Sequence, residues 1–78
     1  MSKKQPYSVV TFHTTAQALG FKAHVVETEL CGRLAPIPRQ LSAGCGFAWI
    51  EPQENAIALD RELSNYDLGF EAVTPLDL

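Results

Sequence analysis

Leu30–Glu51, "LCGRLAPIPRQLSAGCGFAWIE", decides how this chain folds. It holds two extended segments in succession with no helix between them. "LCGRLAPI" reads as a strand closed by Pro36 and Pro38, because proline cannot continue a ladder inside a sheet. "GFAWIE" reads as the next strand, and "PIPRQLSAG" holds the loop that joins them. A strand followed directly by a strand breaks any simple alternation of strand and helix, so the sheet cannot be wholly parallel.

Upstream, "YSVVTFH" (Tyr7–His13) is rich in β-branched and aromatic residues and reads as a strand. Thr14 with Gln17 fits a capping box, which starts a helix through "TTAQALGFKAHVVETE". That helix offers two apolar faces, Ala16/Leu19/Ala23/Val26 and the bulkier Ala18/Phe21/Val25, and its end falls between Glu27 and Cys31. Gly20 weakens it by about 1 kcal/mol relative to alanine. Downstream, Pro52 suits a helix start, and Ala56, Leu59, Leu63 and Tyr66 form one apolar stripe. Asn65 and Gly69 punctuate its end, and "FEAVTPL" is a last strand stopped near Pro75.

The order strand, helix, strand, strand, helix, strand predicts an α+β ferredoxin-like βαββαβ sandwich, a four-stranded antiparallel sheet with both helices on one face. Residues 1–6 read as a disordered N-terminal tail and 7–78 as a single domain. In "FAWI", Phe47 and Trp49 point one way and Ala48 and Ile50 the other. The helices can cover only one face. The other is expected to show Phe47 or Trp49 beside Val9, an apolar patch for a homodimer or protein partner unless "TPLDL" shields it.

Composition narrows the function. The chain has 78 residues, a net charge of −3 and only six basic residues, with no basic stripe of the kind nucleic acid requires. No apolar run approaches the length of a membrane span, and "MSKKQPYS" is not followed by the apolar core of a secretory signal. A cytoplasmic, reducing setting is therefore expected, with Cys31 and Cys45 as free thiols. The two cysteines lack ligand spacing for zinc, so neither metal nor cofactor is expected.

The predicted topology gathers one set of polar residues. The first and third strands should be central antiparallel neighbours, which sets the end of one (His13) beside the start of the other (Cys45, Gly46). The first helix begins at the same end, bringing Thr14 and Thr15, and the loop brings Arg39, Ser42 and Gly44. Thiolates are stabilised by cations, helix N-termini and backbone N–H groups. Arg39 supplies the charge, the helix start supplies open donors, and Gly44 and Gly46 let amides approach the sulfur. His13 is placed to exchange a proton. The plain alternative is a Cys45 that fills space in the core, as free cysteines often do. Cys31, at the far end of the second strand, is expected to be structural and on the order of 15–20 Å from Cys45, too far for a disulfide.

"TFHTT" (Thr11–Thr15) and "RLAPIPRQLSAGCG" (Arg33–Gly46) resemble the small bacterial selenium/sulfur carrier-like domains. The most specific part is Pro36, Pro38, Arg39, Ser42, Cys45 and Gly46, in a P-x-P-R-x-x-S-x-x-C-G pattern. The resemblance implies a persulfide or perselenide on Cys45, loaded by a cysteine desulfurase-like donor and unloaded by a sulfur/selenium acceptor enzyme. His13, Thr14, Thr15 and Arg39 match the pattern without a settled role. Cys31 before Gly32 departs from it, and an exposed Cys31 would compete for the carrier role. The other readings are a small-molecule-binding or protein-interaction module with no reactive thiol, and a thiol enzyme, which would want a resolving cysteine nearby.

Overall fold

The computed structural model of the chain describes residues 3–42 and 44–78. The elements are β1 (Pro6–Thr11), α1 (Thr15–His24), β2 (Arg33–Pro36), β3 (Phe47–Pro52), a 3-10 turn (Gln53–Asn55), α2 (Ala56–Ser64) and β4 (Ala72–Asp77). The strands form one antiparallel sheet in the order β2-β3-β1-β4. This is the expected α+β ferredoxin-like arrangement, with β1 and β3 in the middle.

Registry decides which side chains share a face. Val10 lies opposite Trp49, and Trp49 opposite Leu34. That row points to the helices, where Val10, Phe12, Phe21, Trp49, Leu59 and Leu63 form the core with Ala18 and Val25. Phe21 is at its centre. Its ring meets Trp49 edge-on at 5.5 Å and Tyr66 at 5.3 Å, with Phe12 at 5.8 Å. Such contacts each add roughly 0.5–1.5 kcal/mol beyond area burial. Of the two candidate faces of α1, the structure buries Ala18, Phe21 and Val25 and leaves Leu19 and Val26 exposed. The larger set wins because Phe21 fills the space between sheet and α2.

The helix is shorter than the sequence suggests. It stops at His24 because Thr28 turns back: its hydroxyl donates to the Val25 carbonyl at 2.8 Å and accepts from Leu30 N–H at 3.3 Å. Side-chain capping of this kind competes with further helical turns.

The expected projecting patch does not form among the described residues. Val9 and Trp49 are buried and lie on opposite faces of the sheet; Phe47 alone of the three is substantially exposed, at 41%. On the face away from the helices the cross-strand rows are Arg33–Ile50–Val9–Thr74 and Ala35–Ala48–Thr11–Ala72. Val9, Thr11, Ala35, Ala48 and Ile50, small or β-branched and packed laterally across strands about 4.8 Å apart, are the buried members of these rows, whereas Arg33 and Ala72 at the edges are exposed. Residues 74–77, expected as an alternative shield, are instead part of the edge strand β4.

One proline behaves differently from expectation: Pro75 lies inside β4 rather than at its end, whereas Pro36 closes β2 as expected. Backbone bonds at Ile37 N–H to Gly46 O (2.9 Å) and between Gln5 and Leu78 (2.8 and 2.9 Å) fix the alternation of the outer ladders. Both prolines then fall where the backbone nitrogen faces outward from an edge strand, so no ladder bond is lost.

α1 and the segment after α2 are tied through Tyr66, whose hydroxyl donates to the Gln17 carbonyl at 2.6 Å. Gly20 makes room for it, since a methyl group there would collide with the Tyr66 hydroxyl. Burial raises the Tyr66 phenol above its ordinary value of 10.0. A phenol harder to ionise when folded than unfolded contributes stability that is complete below about pH 10 and is lost as pH rises through the folded value. Thermal melting followed by circular dichroism between pH 8 and 11 should fall more steeply for the native chain than for Tyr66→Phe. At pH 8 that variant should be less stable by about 1 kcal/mol, the loss of one hydrogen bond.

Candidate functional site

The β2–β3 connection is a hairpin whose neck is the Ile37 N–H to Gly46 O bond. Within it, Leu41 N–H returns to Pro38 O at 3.0 Å, which makes a tight turn with Arg39 and Gln40 at its corner. Ala43 lies outside the described residues. Gly46 has φ +76°, a left-handed conformation that glycine adopts without steric cost. Gly44 is needed for space: a Cβ there would lie 2.8 Å from the His13 carbonyl oxygen. The turn is thus pressed against the end of β1, and His13 and the Gly44–Gly46 segment come together.

Cys45 is a free thiol, half-buried, and packs its inner side against the core. Its sulfur accepts from Phe47 N–H at 3.4 Å and donates to Phe47 O at 3.4 Å. A backbone donor therefore points at the sulfur from the first residue of β3. Phe47, two positions on, is itself partly exposed.

The start of α1 uses much of its own donor capacity. Thr14 Oγ1 accepts from Gln17 N–H at 3.1 Å, and Gln17 Oε1 accepts from His13 N–H at 2.8 Å and Thr14 N–H at 3.3 Å. This is the capping box read from the sequence. Gln17 Nε2 also donates to Leu68 O at 2.8 Å, fixing the segment before β4. His13 itself faces Glu71, with Nδ1 3.5 Å from Oε1, and is 62% exposed. Thr15, Arg39 and Ser42 are exposed, and Arg39 makes no ion pair among the described residues. Gly44 packs against the His13 carbonyl, which brings His13 beside the segment that leads to Cys45. Arg39 and Ser42 share the hairpin loop with Cys45 but make no side-chain hydrogen bond to it among the described residues.

Cys31 is not the enclosed structural residue expected from the sequence. It is free and exposed. A buried carboxylate holds its backbone: Glu51, fully enclosed, accepts Cys31 N–H and Gly32 N–H at 2.9 Å each. The same carboxylate takes the Trp49 indole N–H and the Asn55 amide, both at 2.8 Å. Asn55 Nδ2 also reaches the Cys31 sulfur at 3.4 Å. The thiol faces outward because Glu51 occupies the inward position and binds the main chain around it. The one signal in the sequence is parity: Glu51 is two residues from Trp49, so both must point to the helices. Since Cys31 is tied to Glu51, β3 separates it from Cys45 by about six extended residues, roughly 20 Å. No disulfide can span that distance.

Among the described residues no group of three or more His, Cys, Asp or Glu is placed to hold a metal ion. Among them, too, no helix is long and apolar enough to cross a membrane.

Compared with known families, residues 7–75 match the one described as "Putative Se/S carrier protein-like". No curated protein matches the chain, and no solved structure does.

Proposed function

Because the chain belongs to the Se/S carrier protein-like family, we propose that it carries a sulfane sulfur, or its selenium counterpart, on Cys45 between a donor and an acceptor protein. The thiolate of Cys45 attacks the outer sulfur of a persulfide on a cysteine desulfurase-like donor. The S–S bond of the donor breaks, a Cys45–S–SH group forms, and the donor cysteine leaves as its thiolate. An acceptor thiolate reverses the exchange on its own side. Each transfer swaps one S–S bond for another, so no external oxidant or reductant is consumed.

The observation that carries this reading is the seat of Cys45. It is half-exposed between two glycines, on a turn braced against the end of β1, with Phe47 N–H directed at its sulfur. A transferable sulfur needs such a combination: access for a partner from one side and fixed donors from the other. Arg39, exposed on the same loop, is the cation available to the terminal sulfur, and His13 is the nearby proton carrier. Phe47 offers the apolar contact for a transient partner.

The test is to incubate the reduced chain with a cysteine desulfurase and cysteine, then measure intact mass and map peptides. The expected product is a one-sulfur adduct on the peptide containing Cys45. Cys45→Ser should abolish it, and Cys31→Ser should retain it in full. An adduct that follows Cys31 instead moves the carrier site to the Asn55 corner and overturns the assignment. Failure of both cysteines to load with several donors favours the binding-module reading.

A further inference from the structure

A groove of ≈340 Å³ opens between α1 and the edge strand β2, away from the Cys45 turn. This is at the small end of the roughly 300–1,000 Å³ range of ligand pockets. Val26, Leu34 and Trp49 line it, and so do Lys22 and Arg33. Among the described residues no acidic side chain does. That bias stands out in a chain with nine acidic and six basic residues. Neither cation is spent elsewhere: among the described residues neither Lys22 nor Arg33 joins an ion pair, whereas Arg61 is paired with Glu29. The nearest buried negative charge, Glu51 behind Gly32, is occupied by four N–H donors. The apolar wall is open to solvent at Val26, which is 75% exposed.

From this we infer that the groove binds a small amphipathic carboxylate, its hydrocarbon body along Val26, Leu34 and Trp49 and its carboxylate at Lys22. Lys22 is the principal cation because it stands on the helix that forms one wall. Arg33 reaches the groove from the edge strand, whose alternation gives its Cα–Cβ bond to the opposite face of the sheet. A neutral molecule of the same shape lacks the charge-assisted contact and binds less tightly.

Trp49 is the only tryptophan in the chain and reports occupancy directly. Decanoate titrated below its micellar concentration should change Trp49 emission saturably. Lys22→Met should weaken binding about tenfold, the size of one charge-assisted contact. Lys4→Met should leave it unchanged, and decanol should bind about tenfold more weakly than decanoate. Circular dichroism melts establish that Lys22→Met is folded; Lys22→Arg, which keeps the charge, should retain most of the affinity. The inference fails if decanoate gives no saturable change, if Lys22→Met binds as tightly as the native chain, or if decanol equals decanoate. Binding of an acidic, apolar peptide to this groove where decanoate does not bind would also overturn it.

Discussion

Glu51→Gln is expected to cost the fold about 3–5 kcal/mol, as urea unfolding will show, because two buried donors lose their acceptor. The carboxylate is fully enclosed and each oxygen serves two N–H groups: Oε1 takes Gly32 and Trp49, Oε2 takes Cys31 and Asn55. An amide has one oxygen. Whichever way the substituted side chain turns, its NH2 group meets two donors head-on inside the protein, at about 1–3 kcal/mol each. Among the described residues no cation neutralises Glu51; neutral N–H dipoles alone offset the desolvation of the charge. A domain of this size has only about 4–12 kcal/mol in total. Glu51→Gln can therefore leave the chain largely unfolded at room temperature. Asn55→Ala then serves as the graded measurement: it removes one donor and should cost about 1 kcal/mol. In the folded fraction of either variant Cys31 should alkylate faster, since its backbone anchor is loosened, while Cys45 keeps its rate. A loss below about 1 kcal/mol in Glu51→Gln would show that the four bonds do not hold the segment.

Gly32→Ala is expected to cost about 2–4 kcal/mol, reversing the usual benefit of that exchange. Where the backbone is compatible, replacing glycine by alanine stabilises by about 0.4–1 kcal/mol through the unfolded chain. Gly32 does not have a positive φ, so strain is not the reason. Space is. A methyl group at this position collides with the Ile50 carbonyl oxygen, approaches the Ile50 carbonyl carbon to 2.9 Å and lies 2.5 Å from Glu51 Oε1. Ile50 belongs to a central strand held by ladders on both sides and cannot retreat. The Cys31–Gly32 segment must lift away instead, and it carries its two N–H groups off the carboxylate. Because the two substitutions break one network, Gly32→Ala in a Glu51→Gln background should cost much less than in the native chain. Additive losses in that double-mutant cycle would contradict a shared origin.

Most of the architecture was legible because its signals are local. Thr14 and Gln17 marked the helix start, the loop between Pro36 and Phe47 marked a hairpin, and topology then placed His13 beside Gly44–Gly46. What stayed hidden depended on partners distant in the chain. Nothing near α1 could show that Tyr66 needs the space at Gly20, or that Thr28 ends the helix by capping Val25. Pro75 looked like a terminator because its harmlessness depends on which neighbour β4 has. Phe47, Trp49 and Val9 were expected on one exposed surface because strand parity was known within β3 but not across the ladder to β1. Glu51 read as the end of a strand, yet the inward parity it shares with Trp49 made it the centre of a buried network. Cys31 was misjudged for the same reason: a thiol's exposure depends on what its main chain is bonded to.

The two edge prolines have a further consequence. With Pro36 and Pro75 each presenting a ring where an outward N–H would stand, the sheet offers poor templates for an added strand on either side. Copies of this chain are thereby discouraged from polymerising edge to edge. A visiting protein that added a strand there would forgo a main-chain hydrogen bond at each proline, which weakens its hold and shortens the encounter.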